Sequence, residues 1–211
     1  MFKQIFELFK ADSLYEQALV ECYEMLEIDR EMFNESIKSL RASDTADIPI
    51  DIYAMDKKIN EFERDVRRKI MTHLAVSGKE DLGSGLILVS VVIDIERIGD
   101  YTKNIYDLAV QHPNCLNGGA FEEKLNHIEQ ATMNFLNDAI DAFKNQDIEK
   151  ARKLMLDYKT DISSVSTEIV DSIISGKSGD FTSMEAGSLC LYARYLKRIA
   201  AHSRNLVSSI V

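Results

Sequence analysis

The sequence predicts an all-α protein, a tandem pair of three-helix bundles built from six long helices, and three observations carry that prediction. Proline is scarce: Pro49 lies in "DTADIPI" and Pro113 in "QHPNCLNGG", both amid turn-forming residues, and the long stretches between them suit helices. Apolar residues in those stretches recur with the helical period. The second half of the chain also echoes the first. Sliding the chain until Met32 meets Phe135 lays Asn34 on Asn137 and Ile37 on Ile140. The same slide pairs Ile59, Phe62, Val66, Ile70 and Met71 with Ile162, Val165, Ile169, Ile173 and Ile174. A slightly shorter slide pairs Leu88, Ile95 and Ile98 with Leu189, Leu196 and Ile199. Each half is therefore read as three helices descended from one ancestor, with short connections. The expected division is 1–112, which includes a short amphipathic start, and 113–211.

The helices are expected near 14–43, 49–76, 83–111, 119–146, 147–176 and 182–210. The first has a start signal in Ser13 followed by Glu16, the spacing of a capping box. Within it Leu19, Cys22, Tyr23, Leu26, Met32, Phe33, Ile37 and Leu40 keep the period of a helix. The second begins at Pro49. The third opens with "LILVSVVI", which alone would pass for a buried strand. Its pattern continues through Ile95, Ile98, Tyr101, Ile105 and Leu108, so length decides for a helix. Being apolar on all sides, it is expected to be the most buried helix of its bundle. The last three follow from the repeat.

Composition narrows the function. With 45% hydrophobic and 28% charged residues, the chain reads as an ordinary globular protein. A formal net charge of -10 argues against nucleic-acid binding, which needs a basic surface to release counterions from phosphates. It leaves cations, basic partner surfaces and membrane-embedded proteins as partners. Cys22, Cys115 and Cys190 are scattered and read as thiols in a reducing cytoplasm. No apolar run is long enough to span a bilayer, and the start does not read as a secretion signal.

Several candidates lie outside the main argument. "FKQIFELFK", Phe2 to Lys10, places Phe2, Ile5, Phe6 and Phe9 on one face of a short amphipathic helix. Packing over the bundle's own end is preferred to peripheral membrane contact, because the segment is short and carries few cations. His73, His112, His127 and His202 lack the spacing of a metal motif and are given no ligand role. Arg194, Lys197, Arg198 and Arg204 form a basic stripe on the last helix, most simply a solvated face, with a phosphate-rich ligand or an acidic partner as the alternative. "GSG" at Gly83 lacks the lysine of a phosphate loop, and no nucleophile elbow is present, so no catalytic role is assigned.

The acidic residues are the strongest candidates. Glu96 and Asp100 share a helix face, with Asn104 one turn on. On the preceding helix Asp56, Asn60 and Glu63 also share a face. If the two helices run antiparallel these stripes meet, offering carboxylate and amide oxygens to a cation. Acids at this spacing beside Arg97, Lys57 and Lys58 are more commonly a solvated, ion-paired face.

"ERIGDYTKNI", Glu96 to Ile105, resembles the signature of the PhoU family of phosphate-uptake regulators, and "DKKINEFE", Asp56 to Glu63, is similar to the segment that family carries on the preceding helix. The resemblance extends over nearly the whole chain as two repeats. It implies a cytoplasmic, non-enzymatic regulator of phosphate uptake and its signalling, with a phosphate transporter or a phosphate-sensing histidine kinase as partner; a homodimer is compatible with it. It also implies a metal site, for iron or zinc, at Glu96 and Asp100 with Asp56 and Glu63 as neighbours. In the second copy Lys197 and Ala201 stand opposite Glu96 and Asp100, while Lys159, Ser163 and Ser166 stand opposite Asp56, Asn60 and Glu63. The second bundle is thus expected to keep the packing without the metal site. The alternatives are a metal-dependent phosphate-handling enzyme and a metal-free helical adaptor.

Overall fold

The computed structural model describes residues 14–77, 81–112, 114–177 and 181–211. Ser13, with the expected capping box, the segment Phe2–Lys10 and Pro113 lie outside the described residues. Within them the chain is helical, with no strand, and no helix is long and apolar enough to cross a membrane.

The first bundle is α1 (Leu14–Ala42), α2 (Ile52–Ser77) and α3 (Leu82–Gln111). α1 buries one stripe, Ala18, Cys22, Met25, Leu26, Met32, Phe33 and Leu40, together with Asp29 in the same period. The Asp51 side chain accepts from the Ala54 N–H at 3.0 Å and so fixes the start of α2, two residues after Pro49. α3 packs on α1 and α2 along one side and on the last helix along the other. α3 buries Leu88, Val91, Val92, Ile95, Ile98 and Ile105, but it is not covered on all sides: Ile93 and Val110 are 39% and 54% exposed, and in its first turns Leu82, Leu86 and Ile87 are 46%, 56% and 49% exposed. Those turns lie at the end of the bundle, where fewer neighbours cover the helix.

The second bundle follows a 3-10 turn, Gly119–Phe121, whose Phe121 ring stacks on Phe181. α4 (Glu122–Asn145) ends at Gln146, which takes a left-handed conformation at φ 53°. Asp147 caps α5 (Ile148–Tyr158) by accepting from the Lys150 N–H. A π turn, Lys159–Ser163, joins α5 to α6 (Ser164–Ile174), so the expected single helix over 147–176 is a rod with a bulge. Its hydroxyls bond back to carbonyls of the preceding turn: Ser164 to Thr160 and Thr167 to Ser163. Such back-bonding competes with regular helix geometry. α7 (Ser183–Ser208) opens with a complete Thr182–Glu185 capping box.

The bundles share one apolar core. It runs from Met25 and Phe33 of α1 through Ile95, Ile98 and Ile105 of α3 into Leu189, Tyr192 and Leu196 of α7. A smaller cluster around Phe135, Ala139, Ile162 and Ala200 completes the second bundle. Polar ties reinforce the seam. Arg41, at the end of α1, donates to Glu129 at 2.7 Å, to Glu122 at 2.5 Å, to Asn126 at 3.0 Å and to the Leu116 carbonyl. The buried Tyr192 hydroxyl donates to the same Glu129 oxygen at 2.7 Å. On the other side Asp94 accepts from His202 Nδ1 at 2.8 Å and from Asn205 at 2.9 Å.

Candidate functional site

α2 and α3 are antiparallel neighbours, and their acidic stripes face each other. Asp56, Asn60, Glu63, Glu96, Asp100, Lys103 and Asn104 are all half-buried along this groove. The four acids expected from the sequence are therefore on one patch, but each has a cation of the chain beside it. Lys103 Nζ donates to Asp56 Oδ1 at 2.8 Å and lies 3.5 Å from Asp100 Oδ1, bridging the helices. Arg97 holds Asp100 at 2.8 Å and approaches Glu96 at 3.5 Å. Arg67 pairs with Glu63 at 2.8 Å, one turn along α2. Among the described residues, no three His, Cys, Asp or Glu side chains form a ready-made metal-binding group.

Behind the patch lies a residue the motif did not reveal. Asp29 of α1 is fully buried, and neither of its carboxylate oxygens has a hydrogen-bond partner. Burial pushes its carboxyl well above the usual range, and the charges of Glu96, Asp56 and Asp100 push the same way. Gly99 makes room for it: a Cβ there would stand 2.8 Å from Asp29 Oδ1 and 2.9 Å from Ile59 Cδ1. Glu96 is also raised, first by burial and then by Asp100. For Lys103, burial works against the charged ammonium, but the hydrogen bond and charge of Asp56 outweigh it, so its pKa is raised.

The donor chemistry fits a cation. The groove holds carboxylates and the amides of Asn60 and Asn104, all oxygen donors, and Asp29 adds a buried carboxyl lacking a counterion. Opening the patch to a metal requires the Lys103 ammonium to leave the space between Asp56 and Asp100.

The PhoU domain model matches residues 22–109 and again 125–210, one copy for each bundle. The chain belongs to the PhoU family. Its relatives include the "Phosphate-specific transport system accessory protein PhoU homolog" of Clostridium acetobutylicum, 22% identical over 97% of this chain and 88% of that protein. The protein of the same description from Pseudomonas putida is 26% identical over 84% of this chain and 70% of its own length. In structure the chain is similar to PhoU from Pseudomonas aeruginosa, with a TM-score of 0.81, 21% identity and 96% of both chains covered. The PhoU regulatory protein of Streptococcus pneumoniae gives a TM-score of 0.80 at 20% identity, over 93% of both chains.

The second PhoU repeat makes the same helix contact with hydroxyls and a lysine in place of carboxylates. Ser166, opposite Glu63, donates to the Ala193 carbonyl at 2.7 Å, and Lys197, opposite Glu96, donates to Thr167 at 2.8 Å. Lys159 to Ser163, the counterparts of Asp56 to Asn60, form the π turn. On the basic stripe, Arg198 lies over the Tyr101 ring and Arg204 over that of Tyr158. Two of its four cations are thus engaged with aromatic faces of the chain itself.

Proposed function

We propose that this chain is an accessory regulator of phosphate transport, acting on the cytoplasmic side by non-covalent contact with a phosphate transporter or its sensor kinase and catalysing no reaction. The observation that carries this reading is the pair of PhoU domains covering most of the chain, supported by relatives, matched over most of their length, that are described as accessory proteins of a phosphate-specific transport system. The shared core supports it as well, since packing both repeats on one interior sets their outer helix faces in a defined arrangement for a partner. Pull-down with the transporter and with the kinase, at high and low phosphate, should recover one of them in a phosphate-dependent manner. No association in either condition refutes the reading.

The first bundle is proposed to hold one metal site, for iron or zinc, through Glu96 and Asp100 with Asp56 and Glu63 alongside. A bound divalent ion would neutralise clustered carboxylates and fix α2 against α3. Asp29 supports it as an unpaired carboxyl directly behind these acids. Metal analysis of protein purified without chelator should find the ion, and Glu96→Ala with Asp100→Ala should lose it; equal retention by the double variant refutes the assignment.

A further inference from the structure

Lys103 bridges two helices at the centre of the acidic groove. Its ammonium takes the place between Asp56 and Asp100 that a cation shared by α2 and α3 would occupy, at 2.8 and 3.5 Å from their nearest oxygens. Its stem starts on α3 one residue before Asn104, so the side chain lies along the groove and is only 23% exposed. Arg97 reaches Asp100 and Glu96 from the outer side and is 51% exposed, so it screens the rim rather than filling the centre. The fully buried Asp29 lies under the same charges with both oxygens unsatisfied. The groove therefore combines a seated internal cation with a carboxyl that the internal cation does not reach.

We propose that Lys103 is the resident counter-ion of this groove and competes directly with a divalent metal for it, setting how tightly this chain binds metal. The proposal rests on the metal site proposed above. Two like charges cannot share the space between Asp56 and Asp100, so a metal binds only as the ammonium swings out, and its affinity is reduced by the cost of breaking those ion pairs. The donor set around Lys103 contains oxygen and no thiolate or imidazole, so a hard or borderline divalent ion is the competitor. Replacing the lysine with a neutral side chain of similar length removes the competitor while leaving every donor in place. Replacing it with arginine keeps the charge.

The experiment titrates Mn²⁺ and, separately, Zn²⁺ into metal-stripped full-length protein by equilibrium dialysis, and records thermal melts in chelator and in saturating metal. Lys103→Met should bind metal at least tenfold more tightly than the parent, and Lys103→Arg should stay within about threefold of it. In chelator Lys103→Met should melt below the parent, because its acids have lost their cation, and metal should raise its melting point by more than it raises that of the parent. Equal affinity of the parent and Lys103→Met overturns the competition while leaving the metal site standing. No binding by either chain, with Glu96→Ala and Asp100→Ala unchanged in metal content, overturns the metal site itself and the competition with it. Should Lys103→Met fail to fold, Lys103→Gln carries the same comparison.

Discussion

Gly99 gives the sharpest test of the packing around the acidic groove, through Gly99→Ala. In an unobstructed helix interior, replacing glycine with alanine stabilises by about 1 kcal/mol, since alanine loses less backbone freedom on folding. Gly187, in α7, is such a site: a Cβ there meets nothing within 4 Å. At Gly99 the same Cβ would stand 2.8 Å from Asp29 Oδ1 and 2.9 Å from Ile59 Cδ1, closer than real contacts allow. Forcing extra volume into a packed contact costs about 1–3 kcal/mol. The net effect at Gly99 is thus between neutral and about 2 kcal/mol destabilising, while Gly187→Ala gains about 1 kcal/mol. For a chain of this size each kcal/mol moves the melting temperature by about 2–4 °C. Thermal melts of the two variants should therefore separate by several degrees, with Gly187→Ala above the parent. Adding Asp29→Ala to Gly99→Ala removes one of the two clashing groups, so the pair should be more stable than the sum of the single changes, by at least about 0.5 kcal/mol. Gly99→Ala melting as high as Gly187→Ala, or strict additivity with Asp29→Ala, would refute the idea that Gly99 exists to admit the Asp29 carboxyl.

Other expectations follow from the same contacts. Tyr192→Phe removes a buried hydroxyl bound to the Glu129 carboxylate and should cost about 1.5–3 kcal/mol, read from thermal melts. Arg41→Met strands Glu129 and the Leu116 carbonyl and should cost about 3 kcal/mol, the lower end of the range for broken buried pairs because Glu122 is partly solvated. Asp29→Asn, compared with the parent in chelator, should gain relative stability as pH rises. The raised Asp29 carboxyl keeps its proton in the folded chain where the unfolded chain has released it, so its favourable contribution is complete below the unfolded pKa of about 3.9 and is lost as pH climbs through the folded value. Melts from pH 4 to pH 8 should show the gap widening, and a constant gap contradicts the assignment.

Much of the architecture was legible because its causes are periodic. Proline, the apolar stripes and the internal echo place the helices within a few residues of where they lie, and "LILVSVVI" is a helix as its length implied. The start of α4 shifted because Gly119 takes a left-handed turn into a 3-10 segment, a local choice that apolar spacing does not encode. The π turn is not legible in the apolar pattern, because Ile162, Val165 and Ile169 keep helical spacing across the bulge; only the hydroxyl-rich "KTDISSVST" carries its signal. At the groove, motif and spacing found Asp56, Glu63, Glu96 and Asp100 but not the cation between them, since helical spacing does not distinguish a lysine that crosses to α2, as Lys103 does, from one that points to solvent. Asp29 was visible as an acid four residues after Met25 and four before Phe33, inside a buried stripe, and that placement alone marks it as unusual.

The seam between α3 and α7 also bears on inheritance. Duplicated units that each kept a private interior would remain exchangeable modules, free to recombine. Here Ile95, Ile98, Leu189 and Tyr192 lie in one interior, and Arg41 reaches across to clasp α4, so neither copy retains a finished outer surface of its own. Once joined in this way, the two copies must change in concert along their common wall, whereas the groove on the far side of α3 is free to diverge.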